Sequence, residues 1–259
     1  MIRRRRYPIL EFDPDRKVLG DSHDSHSGRK GRALTPYVVL CFFQDVISKV
    51  ARKHRAKLWT HLGSEIGKNP VWEVKVGKRK VAVLHPGVGS ALAAGFMDEA
   101  VGLGGRKIIA CGGAGVLRKD LAVGHLIVPT SAVRDEGASY HYLPPGREAK
   151  PHPKAVRAIQ RTLERNGYPF LKGKTWTTDG YFRETPGKVK LRQEEGCLSV
   201  EMECAAFFAV GKFRKVQFGQ ILYGGDDLSG DKHDYRDWDK QTSIREKVFW
   251  LAVESCLRM

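Results

Sequence analysis

The chain has 259 residues, 41% of them hydrophobic, and a formal net charge of +16. That length buries a sizeable core, as one large domain or two small ones, and no apolar run approaches the roughly 20 residues of a membrane helix. The basic residues are dispersed (RRRR at 3–6, RKGR at 29–32, KHRAK at 53–57, KRK at 78–80). With no zinc-finger spacing or RNP-like aromatic strand, they indicate a basic surface and argue against a nucleic-acid module.

The five cysteines, at 41, 111, 197, 204 and 256, make no CxxC pair or metal-like cluster. Most lie in apolar runs, which fits a reduced, intracellular setting better than a disulfide framework. MIRRRRYP has no apolar segment behind it and does not read as a secretory signal. The expected location is the cytoplasm, with no membrane partner and no metal.

Residues 1–33 are polar, basic and rich in Ser, His and Gly, and read as an extended arm that can reach a neighbouring subunit. Residues 34–259 read as one domain. YVVLCFF at 37–43 is a continuous apolar run of buried-strand type. A helix is expected over 44–57, with Val46, Ile47 and Val50 on one face. Strands at 71–76 and 80–84 form a hairpin around Gly77. HPGVGSALAAGFMDEAVGLG at 85–104 is a glycine turn and a helix of small residues. A buried strand over 107–111 ends in Gly112-Gly113-Ala114-Gly115. Strand character returns at 125–137, followed by a loop at 144–153, a helix at 154–166, a short strand at 174–178 and a helix at 188–195. A last amphipathic helix spans 242–257. Alternation of strands and helices without an internal repeat points to a single three-layer α/β domain.

The chemistry concentrates in residues 199–227, SVEMECAAFFAVGKFRKVQFGQILYGGDD. Glu201 and Glu203 bracket Met202 ahead of a small apolar helical run. A strand-like run from 216 to 223 leads into Gly224-Gly225-Asp226-Asp227. Carboxylates at a helix mouth and beyond a buried strand stand where α/β proteins build ligand sites. One carboxylate can accept from two neighbouring sugar hydroxyls, and a second can carry a proton to a leaving group. The plainer alternative is that the glutamates complement a helix N-terminus and GGDD is a surface turn. Glycine turns at 87–89 and 112–115 either bring backbone N–H groups near an anion or allow close strand-to-helix packing. GVG at 87–89 is not a dinucleotide fingerprint, because Leu92 stands where the third glycine belongs.

EMECAA resembles the EMEAA signature of the nucleoside phosphorylase and nucleosidase superfamily, of the purine and uridine phosphorylase type. That family also carries a catalytic Asp after the next strand, at a spacing close to that from Glu203 to Asp226. The resemblance covers most of residues 37–257: GVGSALAA, CGGAGVL, AVGHLIVPTSAVRDEGAS and TTDGYF each resemble a family segment in order. It implies a three-layer α/β/α sandwich with a mixed, partly barrel-like central sheet. It places Met202 beneath the ribose, Glu203 on the 2′ and 3′ hydroxyls with Glu201 beside it, Tyr181 or Phe182 on the base, and Asp226 as acid to the base. Asp227 competes with Asp226 by one residue of register. Asp231, His233 and Asp234 read as a mobile lid or a solvated loop.

The sequence departs from the family at the acceptor. The GDPxR-like phosphate loop is replaced by Cys41-Phe42-Phe43-Gln44-Asp45, and the second segment has Ala110 for arginine and Gly113 for threonine. Phosphate, if it is the co-substrate, would need Gly87, Ser90, the backbone N–H groups of 112–115 (Gly112 and Gly113 among them), or an arginine from the basic arm or a neighbouring subunit. If water is the nucleophile, Asp45 is the candidate base, against a plain first-turn acid. The resemblance therefore implies cleavage of a nucleoside, of purine type by the acid's position, with inorganic phosphate as acceptor and no bound cofactor. The alternatives are a nucleosidase using water and a non-catalytic nucleoside binder. Family members assemble as dimers, trimers or hexamers, so a homo-oligomer is expected, with His23 or His26 of the arm reaching a neighbour's ribose.

Overall fold

The computed structural model describes residues 2, 4–20 and 33–259. His23 and His26 lie outside the described residues. The first strand, β1 (Tyr37–Cys41), is buried along almost its whole length. Its side chains alternate, Val38 and Leu40 joining one apolar cluster and Val39 and Cys41 another. Both sheet faces are therefore covered, as a continuous apolar strand requires.

Helix α1 (Gln44–Lys53) buries Val46, Ile47 and Val50, as the periodicity requires, but stops short of residue 57. Arg55 adopts a left-handed φ of 48°, which turns the chain into β2 (Lys57–Ser64). Half of that strand's residues are exposed and only Thr60 and Leu62 are buried, so the sequence did not announce it. It pairs antiparallel with β3 (Gly67–Val76), which pairs antiparallel with β4 (Arg79–Leu84) across the Gly77 turn.

Helix α2 (Ser90–Gly102) follows the glycine turn. Strand β5 (Lys107–Val116) does not end at Cys111 but runs on through the glycines. Their backbones pair with β10 (Gln217–Asp227), Leu222 beside Gly112 and Tyr223 beside Gly113, and Gly115 pairs with Val200. Side chains from elsewhere occupy the room the glycines leave: Phe42 at Gly112, Trp238 at Gly113 and Leu228 at Gly115.

The remaining elements are β6 (Leu126–Asp135), the one-turn α3 (Ser139–Tyr142), the two-residue β7 (Glu148–Ala149), α4 (Pro153–Arg165) and β8 (Phe170–Thr178). They are followed by α5 (Pro186–Glu194), β9 (Cys197–Glu201), α6 (Cys204–Phe213) and α7 (Thr242–Leu257). The sheet order is β10-β6-β8-β9-β5-β1-β4-β3-β2, and β10 pairs again with β5. Strands β5, β9, β8, β6 and β10 thus close a five-stranded barrel, from which the open part of the sheet extends.

Helices α2 and α6 cover one face, while α1, α4 and α7 cover the other. This is the three-layer α/β sandwich with a mixed, partly barrel-like sheet. The five cysteines are buried and unpaired with one another. Among the described residues no helix is long and apolar enough to cross a membrane. The described part of the arm lies beside its own domain: Asp13, Asp15 and Lys17 border the same groove as Asp98, Tyr142 and Arg214.

Candidate active site

A cavity of about 680 Å³ opens where the closed barrel meets the open sheet, lined in part by Phe43, Gly113, Met202, Glu203, Gln220 and Asp226. Its floor is the junction of β9 and α6. Glu201 ends the strand, and its carboxylate is consumed internally: Oε1 accepts from Thr177 Oγ1 at 2.6 Å, and Oε2 accepts from the backbone N–H groups of Glu203 (2.8 Å) and Cys204 (2.6 Å). Glu201 therefore secures the first turn of α6, as the plainer sequence reading had it. Glu201 also borders the cavity, as does Glu203.

Glu203 is 6% exposed, and its Oε1 accepts from the Gly89 N–H at 2.6 Å. Gly89 has φ of 86°, a backbone state natural only to glycine, and this aims its N–H at the carboxylate. Burial, then the neighbouring Glu201, push the Glu203 carboxyl well above the usual carboxylate range. Ser90 Oγ donates to the Met202 carbonyl at 2.6 Å, and Ser90 is buried. The GVGS turn thus holds the Glu203 carboxylate and the Met202 backbone in place. Gly87 packs against Leu92 and Gly112 against Phe42. Of the residues considered for phosphate or water, Gly113 lines the cavity, whereas Gly87, Ser90 and Gly112 serve its framework.

Asp45 stands outside the cavity lining, its carboxylate 2.8 Å from Arg245 of α7. Its partner Arg245 does line the cavity. Sequence spacing alone could not find that arginine, because it arrives from a helix some 200 residues along the chain.

At the other end, Tyr181 and Phe182 are 53% and 85% exposed at the mouth, with ring centroids 4.2 Å apart. Asp226 lines the cavity, and its Oδ2 is 2.7 Å from His233 Nε2. Asp227 is turned away, ion-paired with Arg236 and bridged to the backbone of Asp234. The two are consecutive residues at the end of β10, so their side chains leave on opposite sides of the strand. His233, from the segment that read as a lid or solvated loop, is therefore part of the site. Glu184, which the sequence reading did not single out, also lines it. Burial, then the nearby Asp226 charge, raise its carboxyl to about 7, against an opposing pull from His233.

A closed barrel joined to an open sheet thus carries a cavity that brings together a glycine-tethered carboxylate and an Asp–His pair. The family model of the phosphorylase superfamily matches residues 36–258, and the chain belongs to that superfamily. A uridine phosphorylase of Treponema pallidum is 26% identical over 219 residues, covering 79% of this chain and 83% of that protein. A guanosine phosphorylase of Halorubrum lacusprofundi is 26% identical over 160 residues, 60% of this chain; the match spans 66% of that protein's length. Among solved structures, an AMP nucleosidase from Bacteroides thetaiotaomicron superposes with a TM-score of 0.70 at 22% identity, covering 86% of this chain and 87% of that one. A uridine phosphorylase from Vibrio fischeri gives 0.73 at 21% identity, covering 87% and 93%. These two likenesses establish the nucleoside phosphorylase fold.

Proposed function

We propose that the chain cleaves the N-glycosidic bond of a purine nucleoside, with inorganic phosphate as acceptor and without a bound cofactor. The observation that supports this reading is a single cavity lined by both Glu203 and the Asp226–His233 pair. Glu203 accepts hydrogen bonds from the 2′ and 3′ hydroxyls, and Met202 lies under the ring. As the bond stretches, positive charge grows on the sugar, which favours the ionised form of Glu203. The leaving base gains electron density and takes a proton from Asp226, which His233 orients. Tyr181 and Phe182 cover the base plane. The curated relatives named as phosphorylases support phosphate as acceptor.

Hydrolysis is the second reading, favoured by one observation: neither phosphate segment contains an arginine (Ala110 and residues 41–45). The proposed water-activating Asp45 is engaged by Arg245, which weakens it. A non-catalytic binder has little use for an acid coupled to an imidazole. Assembly as a cytoplasmic homo-oligomer belongs to the same reading and is checked by light scattering.

The test is base release from a panel of purine and pyrimidine nucleosides, with and without phosphate. Phosphate-dependent release yielding a sugar 1-phosphate supports the proposal. Free sugar formed without phosphate would transfer it to the hydrolase, and bound but unreacted nucleoside to the binder.

A further inference from the structure

The two positions that lack the family's anion contacts face replacements from distant parts of the chain. Ala110 on β5 and Gln220 on β10 are register partners in parallel pairing, so their side chains emerge on the same face. Gln220 is 1% exposed and lines the cavity, and its Oε1 is buried without a hydrogen-bond partner. A buried amide oxygen in that state is a standing cost that a ligand carrying a donor relieves.

On the same cavity, Arg245 comes in from the first turns of α7. Its guanidinium is fixed on two sides: Asp45 Oδ1 lies 2.8 Å from Nη2, and the Phe43 ring centroid lies 4.9 Å from Cζ. Phe43 and Asp45 belong to the very segment that replaces the family's arginine-bearing loop. Gly113, at the lost threonine position, lines the cavity too, faced by Trp238.

We propose that Arg245 and Gln220 form the acceptor subsite, binding the inorganic phosphate that attacks C1′ of the sugar; this rests on the phosphorolytic reading above. Arg245 supplies the fixed positive charge and planar N–H donors suited to a phosphate. Gln220 donates through its amide N–H to a phosphate oxygen and accepts the remaining P–O–H at Oε1. Hydrogen phosphate offers both an acceptor and a donor, which a bare dipole–anion contact would not use. A phosphate oxygen bonds to C1′ as the C1′–N bond breaks. The bonding pair leaves with the base, which takes the proton of Asp226. The proton that the new sugar 1-phosphate then releases restores the acid.

The test uses the full-length chain and a nucleoside that the wild type cleaves, with phosphate titrated at saturating nucleoside. Arg245→Ala is expected to raise the KM for phosphate roughly 10- to 100-fold, the scale of one charge-assisted contact. Arg245→Lys should recover part of that loss, and Gln220→Leu should raise the same KM roughly fivefold or more. The KM for nucleoside should hold in all three. Calorimetric titration with phosphate alone should show the same order of affinities, with thermal melts confirming that each variant is folded. Unchanged phosphate KM and affinity in folded Arg245→Ala and Gln220→Leu proteins would overturn the assignment while leaving phosphorolysis intact. A wild type that binds no phosphate and releases base without it would overturn both, and it would do so before any variant is made.

Discussion

Nε2 of His233 lies 2.7 Å from Oδ2 of Asp226, and both side chains border the cavity that also holds Glu203. The imidazole comes from a segment beyond the end of β10, seven residues after the aspartate. In the proposed reaction it orients the carboxyl toward the leaving base. Asp226→Asn is expected to lower kcat on natural nucleosides by roughly 10²- to 10⁴-fold, the usual worth of a positioned acid. His233→Ala should lower it less. A nitrophenyl riboside, whose leaving group needs no proton, should be nearly insensitive to Asp226→Asn. Equal losses on both kinds of substrate would remove the acid role.

Glu184 gives a pH signature. Its folded-state carboxyl is raised to about 7 by burial and by Asp226, above the unfolded value of 4.5. The native state therefore holds this proton where the unfolded chain has released it. As pH rises from about 4.5 to about 7, the unfolded state binds fewer protons than the native one, so this group's contribution to stability falls and then levels off. Glu184→Gln removes the titration. The melting temperature of the variant relative to wild type should accordingly rise between pH 5 and pH 8. A difference that is flat with pH would show that Glu184 is not perturbed in the folded protein.

How far the sequence revealed this site depended on how local each contact is. Glu203, Met202 and Asp226 sit at element boundaries within one stretch of residues 199–227, so motif and spacing brought them forward as candidates, and all three line the cavity. The one-residue ambiguity at Asp226 and Asp227 depends on which side chain borders the cavity, and that is a tertiary fact. Strand β2 was missed because an exposed, weakly alternating edge carries little hydrophobic signal. The glycines at 112–115 looked like a turn because glycine is a turn former, yet strand pairing on both sides holds them extended. Arg245, Gln220 and Glu184 escaped notice because their relevance is set by tertiary contacts, not by neighbours in sequence.

The two glutamates of EMEC differ in their surroundings, and on the proposed reading one serves structure and the other recognition. Both oxygens of Glu201 are bonded to the protein, to Thr177 and to the first turn of α6. Glu201→Gln retains the shape but replaces one acceptor oxygen with a donor facing backbone N–H groups or the Thr177 hydroxyl. A loss of about 1–3 kcal/mol in unfolding free energy is expected, read by urea denaturation. Glu203→Gln should cost less stability and instead raise the KM for ribonucleosides by roughly tenfold or more. It should discriminate less between ribonucleosides and their 2′-deoxy analogues, since one hydroxyl contact is missing from both enzyme and ligand. If Glu201→Gln altered that discrimination and Glu203→Gln did not, the two roles would have to be exchanged.

Gly113 and Trp238 should behave as a coupled pair. A Cβ built at Gly113 comes to 3.0 Å from Trp238 Cζ3, and one at Gly225 comes to 3.1 Å from the same indole. The ring also faces Tyr223, centroid to centroid 6.2 Å. A threonine at 113, the residue type that the family resemblance places there, therefore cannot coexist with the indole in its present position. Gly113→Thr alone is expected to cost about 1–3 kcal/mol through overpacking, or to displace Trp238 from the cavity wall. Trp238→Ala alone removes packing over Tyr223. Combined, Gly113→Thr and Trp238→Ala should cost less than the sum of the two by about 1 kcal/mol, because the second change removes the clash made by the first. Urea denaturation of the four proteins closes this cycle. Simple additivity would mean that the indole is not held against β5 in solution, and that the threonine was lost for some reason other than room for Trp238.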